Sequence, residues 1–409
     1  MSEKVNKKLI KPTVLDVFCG AGGMSLGFQN AGCKILGGID NNPHAIRTHQ
    51  RNFINCKLSK LAAQDICYID LQKLPIKPKE VDILIGGPPC QVFSRVGIGK
   101  MKSLGKQVDR DARNFLYQEF VRFLDYYKPL FFVMENVDYL FKKNDIFPKI
   151  LKDLELGLPG RREDYPGYRI HHRILTASEY GVPQVRQRLF MVGVRQDLEL
   201  EFEFPKPLRK KPISVGEAIS DLIPLTPPYI PLRQKSTGVK QMDIPKHYLS
   251  FPQYDYQKKM RKNITKQNNP ERVMNHICRS HNPVDMICFA MLAPGGKYLD
   301  LPESMRRYRW DIFEDKYKRL PWDKPSWTLT AHMRKDCLAY IHPKQNRSIS
   351  VREAARLQSF PDDFVFDAPM TRMFELVGNS VPPLLAEAIA KPIVKQVQAY
   401  YASAQLSLF

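Results

Sequence analysis

The stretch from Thr13 to Asp40 limits the folds open to this chain more than any other. Thr13 to Cys19 (TVLDVFC) is a short run rich in β-formers, and Gly20-Ala21-Gly22-Gly23 follows at once. Met24 to Ala31 then reads as a helix stopped by Gly32, and Lys34 to Ile39 as a second strand ending in Asp40. In a strand, turn, helix and strand of this kind the glycines let a ligand approach the backbone and the helix N-terminus faces it. An acid about 20 residues after the glycines stands where such folds accept hydrogen bonds from ribose hydroxyls. The other reading is an ordinary βα turn.

A second stretch presents a thiol. Val81, Ile83, Leu84 and Ile85 form a buried-strand pattern, so Gly86-Gly87-Pro88-Pro89-Cys90-Gln91 places Cys90 at the carboxyl end of a strand, where open α/β sheets bind ligands. Two glycines allow close approach and two prolines stiffen the turn. A small buried hydrophobe is the bland alternative for a free cysteine.

Further elements converge on the same sheet edge. Pro43 to Phe53 is helical, and Gln64-Asp65-Ile66 is a third candidate strand end with an acid available to an adenine amino group. Asp109 to Tyr127 has apolar residues at helical spacing. The apolar run Leu130 to Met134 ends in Glu135-Asn136-Val137, a second strand-end carboxylate unless it caps a helix. Tyr168 to Thr176 and Leu189 to Val194 suit an antiparallel pair, and in Gln184-Val185-Arg186-Gln187-Arg188 a period of two puts both arginines on one strand face. They could bind phosphate or a base carbonyl, or be solvated.

The chain's charge is concentrated in its middle. Of a net +21, residues 206 to 347 hold 27 Lys/Arg against 13 Asp/Glu, or +14. That balance suits a polyanion, since each phosphate neutralised releases counterions, although a generally basic surface is the alternative. From Pro205 the chain is Pro-rich and loop-like, and Tyr254 to Lys266 and Met305 to Trp310 mix basic residues with aromatics suited to stacking. Ser350-Val351-Arg352-Glu353 is a capping-box pattern, and Pro383 to Tyr400 is a core-facing helix. The eight cysteines form no C-x-x-C pair and no zinc spacing, so they read as reduced thiols, with no metal. No apolar run is long enough for a membrane span and the Lys-rich start lacks a signal peptide's apolar stretch, which places the protein in the cytoplasm, away from membranes.

Taken together these stretches resemble the DNA cytosine-5 methyltransferase family, of prokaryotic restriction-modification type, over almost the whole chain and in the family's order. The resemblance rests on DVFCGAGG at Asp16 to Gly23, GGPPCQ at Gly86 to Gln91, Glu135 to Val137, and Gln184, Arg186 and Arg188. REAARLQSFPDDF at Arg352 to Phe364 and GNSVPP at Gly378 to Pro383 complete it.

The resemblance implies a Rossmann-like α/β fold: a mostly parallel S-adenosyl-L-methionine sheet with an antiparallel end pair, and a smaller irregular β-rich target-recognition domain. The expected segments are 1–204 (catalytic), 205–350 (target recognition) and 351–409 (returning to the catalytic domain, its helix beside the first strand). Phe18, Gly20, Gly22 and Gly23 would line the methionine side of the cofactor, with Asp40 at the ribose, Asn41 beside it, and Asp65 and Ile66 at the adenine. Asp40 is shorter than the family's more usual Glu, and Asn41 stands where a bulky apolar residue often packs. Pro88 and Leu116 would pack nearby, and Asn379, Ser380 and Val381 would close the pocket. Cys90, Glu135, Arg188 and Arg186 would be catalytic, while Gln91, Ser94, Gln184, Thr328 and Leu329 would meet DNA.

The implied chemistry explains this combination. Cytosine carbon-5 is a poor nucleophile until a thiolate adds at carbon-6. Glu135 at ring nitrogen-3 would stabilise the charge formed there. The base must leave the stack to be reached. The expected activity is methylation of carbon-5 of a flipped cytosine in a specific double-stranded DNA sequence by a monomeric modification enzyme. An RNA-directed relative and a non-catalytic DNA-binding protein on the same scaffold are the rivals. The large basic segment favours duplex DNA over the first, and intact Cys90, Glu135 and Arg188 argue against the second.

Overall fold

The computed structural model describes residues 10–89, 116–144, 146–161, 163–208, 211–228, 242–264, 272–308 and 316–406. The chain forms two compact units, one made of 1–175, 187–206 and 385–409, the other of 176–186 and 207–384.

The first unit is built on a six-stranded sheet of β1 (Thr13–Val17), β2 (Lys34–Ile39), β3 (Ile83–Gly86), β4 (Phe131–Val137), β5 (Tyr168–Thr176) and β6 (Gln187–Arg195), in the order β2-β1-β3-β4-β6-β5. The neighbours from β2 to β4 are parallel, and β6 runs antiparallel to β4. Parallel strands covered on both faces are near-continuous apolar runs, and Ile83, Leu84 and Ile85 of β3 and Phe131 to Met134 of β4 are wholly buried. Helices α1 (Gly23–Asn30), α2 (Pro43–Asn52), α3 (Leu116–Tyr127) and α4 (Phe147–Leu156) connect or cover the strands. The α2 helix starts where the sequence signals it: Asn42 accepts the His44 N–H and Pro43 takes the first turn.

Strand order reverses direction between β1 and β3, which opens a crevice at their carboxyl ends. The register aligns the three strand ends, with Val17 opposite Gly86 and Gly86 opposite Met134. Phe18 to Gly20, Gly87 to Pro89, and Glu135 with Asn136 therefore emerge at one edge.

One expected strand end is corrected. Gln64-Asp65-Ile66 is not a strand: Asp65 caps a 3-10 turn over Ile66–Tyr68 by accepting the Cys67 N–H, and Asp70 does the same for Leu71–Lys73. Short Asp side chains bonded to the backbone two residues on favour turns over ladders, so the chain returns to β3 through 3-10 turns. Gln64 still lies beside the end of β2, its N–H donating to the Asp40 carbonyl at 3.0 Å.

In the second unit the described strands are only two residues long, Gln184–Val185 with Ser326–Trp327 and Lys246–His247 with Arg272–Val273. Its irregularity was expected, but the expected β-rich character is corrected, because among the described residues the ladders are only two residues long. Its regular structure is mainly short helices: α5 (Val215–Ile219), α6 (Asp255–Arg261), α7 (Pro283–Met291), α8 (Val351–Leu357), α9 (Met370–Asn379) and the first turn of α10 (Pro383–Leu406). The predicted capping box starts α8, Ser350 accepting the Glu353 N–H at 3.0 Å while Glu353 accepts the Ser350 N–H at 2.7 Å. The remainder of α10 belongs to the first unit, where Gln398 donates to the Ile10 carbonyl at 3.2 Å and Tyr401 to Asp82 at 2.5 Å. Asp82 also accepts the Thr13 N–H at 2.7 Å, so the helix is tied to the start of β1.

Candidate active site

Glu135 and Arg188 are diagonal neighbours on one face of the β4–β6 ladder, since Glu135 stands opposite Phe190 and Val137 opposite Arg188. Arg188 Nε lies 2.9 Å from Glu135 Oε1, and the two side chains are 15% and 13% exposed, which leaves the pair shielded but reachable. Asn136 ties the Gly-Gly-Pro-Pro loop to the same strand, its Nδ2 donating to the Pro88 carbonyl at 3.2 Å and its Oδ1 accepting the Val137 N–H at 2.9 Å.

The loop's glycines have separate causes. A Cβ on Gly86 would lie 2.3 Å from the Val17 carbonyl oxygen, so only glycine lets β3 end this close to β1. A Cβ on Gly87 would lie 3.1 Å from Glu135 Oε2, so the missing side chain leaves Glu135 its room. Cys90, Gln91 and Ser94 lie outside the described residues.

At the end of β1 the backbone takes three left-handed steps, Phe18 at φ 60°, Gly20 at 54° and Gly22 at 98°. Gly22 caps α1 and Gly23 begins it. No atom lies within 4 Å of where a Gly20 Cβ would be, so the turn faces open space. Asp40 locks it to β2: one carboxylate oxygen accepts the Gly20 N–H at 2.9 Å and the other the Asn42 N–H at 2.8 Å. Burial raises the Asp40 pKa above the usual carboxylate range, opposed by those N–H groups. Asn41 and Asp65 are exposed, Ile66 and Pro88 buried, and Leu116 packs against the core at the start of α3. An open glycine turn, a fixed strand-end carboxylate and an apolar wall fit a nucleoside-bearing cofactor such as S-adenosylmethionine.

Beneath this turn lies a group that sequence reasoning missed. Ser25 Oγ is 2.5 Å from Asp16 Oδ2 and 3.1 Å from His49 Nε2, and all three residues are buried. Burial pushes the Asp16 carboxyl up to about 7 against the Ser25 hydrogen bonds, and lowers His49 to about 3. Asp16 inside an otherwise apolar strand was the available signal; that it meets His49 is set only by the fold.

The remaining expected site residues lie in the second unit, in a buried hydrogen-bonded group. Gln184 accepts the Leu329 N–H at 2.9 Å and donates to Gln358 Oε1 at 2.5 Å, and Gln358 donates to the Ser380 carbonyl at 2.5 Å. Arg186 donates to the carbonyls of Leu329 at 2.6 Å and Gly378 at 3.0 Å. The expectation that Arg186 and Arg188 share a strand face is therefore corrected. Arg186 falls between two strands and is 1% exposed, bracing carbonyls of its own unit, whereas Arg188 lies in β6 beside Glu135. Gln184 and Leu329 are fully buried; Thr328 is half-buried and donates to the Val185 carbonyl at 2.8 Å. Ser380 and Val381 are buried and Asn379 is exposed.

A sheet with its switch point at β1 and β3, a glycine turn with its acid, and a glutamate–arginine pair beside a stiff loop define a group-transfer enzyme of the α/β class. The chain belongs to the C-5 cytosine-specific DNA methylase family, whose profile matches residues 12–395. It is a DNA cytosine-5 methyltransferase. It is 34% identical over 385 residues to the type II methyltransferase M1.HphI of Haemophilus parahaemolyticus, covering 94% of this chain and 87% of that protein. To the type II methyltransferase M.DdeI of Desulfomicrobium norvegicum it is 33% identical over 403 residues, covering 93% and 88%. A crystal structure described as a prophage-encoded DNA modification methyltransferase from Escherichia coli superposes with a TM-score of 0.72 at 26% identity, covering 95% of this chain and 99% of that one. The Entamoeba histolytica methyltransferase EhMeth, at TM-score 0.53 and 15% identity over 95% and 99% of the two chains, shares the fold. Among the described residues no helix is long and apolar enough to cross a membrane.

Proposed function

We propose that this methyltransferase acts on a flipped cytosine in a specific double-stranded DNA sequence, through a covalent link from Cys90, as a monomeric cytoplasmic modification enzyme of a restriction-modification system. The observation that carries the reading is the shielded Glu135–Arg188 pair beside a loop that Asn136 fastens to β4. That loop leads directly into Cys90. The names of the type II relatives support the modification role.

S-adenosylmethionine, held by Phe18, Gly20, Gly22, Gly23 and Asp40, would supply an electrophilic methyl group. The chain's own residues do the rest. The Cys90 thiolate forms a bond to carbon-6, and the 5,6 electron pair moves toward carbon-5 and ring nitrogen-3. Glu135, oriented by Arg188, holds a proton at nitrogen-3, which stabilises the charge arriving there. Carbon-5 takes the methyl group; a solvent base then takes the carbon-5 proton, the C–H electron pair re-forms the 5,6 double bond, and the carbon–sulfur bond breaks with its pair returning to Cys90 as thiolate. Arg186 acts as a brace that sets the position of the 329 and 378 backbone, and residues 205–350 supply target recognition.

Duplex DNA carrying 5-fluorocytosine tests the reading, because fluorine cannot leave as the proton does. A gel-stable protein–DNA adduct is expected, formed with S-adenosylmethionine and absent from Cys90→Ser. Methylation of tRNA but not of duplex DNA would reject the reading. Bisulfite sequencing of DNA from a naive host expressing the protein would give the target sequence.

A further inference from the structure

A turn in the second unit displays large apolar side chains while its backbone is held from beneath. Phe251 is 83% exposed, Leu249 58% and Tyr254 41%. Single exposed apolar residues need no explanation, but these three lie within six residues on an anchored backbone. The Leu249 N–H donates to the Asp221 carbonyl at 2.8 Å, and Arg261 donates to the Ser250 carbonyl at 2.8 Å. Arg261 also lies 3.6 Å over the Tyr248 ring, whose hydroxyl donates to Asp362 at 2.8 Å. Asp221 and Asp362 are themselves paired to buried Arg356. The turn is thus pre-set with Phe251 pointing to solvent, so ordering it on binding costs little.

The α6 helix that follows has two different faces. Tyr256, Gln257, Met260 and Arg261 are buried. Asp255, Lys258, Lys259 and Lys262, at the i, i+3, i+4 and i+7 positions of one stripe, are exposed. The Asp255–Lys258 pair at 3.0 Å has side chains 98% and 61% exposed, a geometry too solvated to withhold Lys258 from a stronger partner. An aromatic tip running into a lysine stripe matches a polyphosphate chain carrying flat apolar bases.

We infer that Leu249 to Lys262 is a DNA-contacting surface of this enzyme: the Phe251 ring lies against base or sugar atoms, and the α6 lysines take the adjoining phosphates. The inference rests on the duplex-DNA reading above and adds the residues that grip the substrate. Phosphate contacts and ring contacts respond differently to salt, which separates the two parts.

The full-length protein is titrated against a fluorescent 30-base-pair duplex over a salt series, and its methyl transfer into unmethylated plasmid DNA is measured in parallel. The triple variant Lys258→Ala, Lys259→Ala, Lys262→Ala is expected to reduce the slope of log affinity against log salt by about 2 to 3, at about 0.9 per phosphate contact. Phe251→Ser is expected to keep the slope and weaken binding about 10-fold, within the range for loss of one stacked base. All these side chains are exposed, and thermal unfolding midpoints equal to wild type establish that the variants are folded. Wild-type binding and methylation with both variants within 2-fold of it would overturn the inference alone and assign the turn to some other partner. A wild-type protein that neither binds nor methylates duplex DNA would instead overturn the duplex-DNA reading, and this inference with it.

Discussion

Burial shifts Asp16 and His49 in opposite directions beneath the glycine turn. In the unfolded chain Asp16 ionises near 3.8, in the folded one near 7, because burial penalises the carboxylate more than Ser25 supports it. Its contribution to stability is full below about pH 4 and is lost as the pH rises through about 7. His49, depressed from 6.5 to about 3 by burial, runs the other way: its contribution is full above about pH 6.5 and lost as the pH falls toward 3. Asp16→Asn, which cannot ionise, should remove the first effect. Relative to wild type it should gain stability between pH 5 and pH 8, by an amount on the order of a few kcal/mol. Denaturant midpoints across that range check this, and parallel pH profiles would refute it. Gly87→Ala is the second residue-scale prediction. Its Cβ, 3.1 Å from Glu135 Oε2, displaces the carboxylate by a few tenths of an ångström, so kcat should fall about 10-fold or more while the unfolding midpoint stays near wild type. Steady-state methyl transfer beside a melting curve decides the matter.

At the level of elements, α8 organises the second unit through buried charge. Arg352, Glu353 and Arg356 are essentially inaccessible. Burial drives the Glu353 carboxyl up, but bidentate bonds from Arg347 at 2.8 and 2.7 Å outweigh it and hold the pKa below the usual carboxylate range. Arg356 joins Asp221 to Asp362, so Arg356→Met would leave two buried carboxylates without their main partner. Loss of about 3 to 5 kcal/mol is expected. Urea unfolding would show it, and a loss below about 1 kcal/mol would mean that water or Arg261 takes over. Gly378→Ala tests the docking of α9: its Cβ would meet the Thr330 carbonyl carbon at 2.3 Å, backbone that cannot swing aside, so α9 must shift and the second unit should unfold at a lower temperature. These elements were partly legible in the sequence. The capping box of α8, the start of α2 at Pro43 and the strand–glycine–helix opening are set by residues a few positions apart, and local chemistry suffices to read them. Asp65 was misread because an acid after a polar residue serves a strand end and a 3-10 cap equally well. Arg186 was misread because a period of two assumes an unbroken strand, whereas the chain changes unit between Arg186 and Gln187. The bonds from Gln184 to Gln358 and from Arg356 to Asp221 span 174 and 135 residues, a separation at which one sequence carries no pairing signal.

On the scale of the molecule, neither unit is one continuous piece of chain. The chain passes between the units after residues 175, 186, 206 and 384, and the first unit draws its final helix from the far end of the sequence. Residues 1–206 produced alone should therefore be markedly less stable than the intact protein and prone to aggregate, because the helix that bonds to Ile10 and Asp82 beside β1 is missing. A 385–409 peptide added in trans should raise the melting temperature of that fragment. A fragment as stable as the parent protein would show that α10 is dispensable to the sheet.

The bond from Tyr401 to Asp82, spanning 319 residues, also sets a clock. At about 5 to 20 residues per second a ribosome needs about 15 to 60 s to travel from one partner to the other. During that interval β1 and β3 wait without their last helix. A nascent chain cannot complete its first unit before residue 401 has been made, so the onset of methylation in a cell newly given this gene is timed by chains extended past that point, and products terminated before it lack the helix bonded to Asp82.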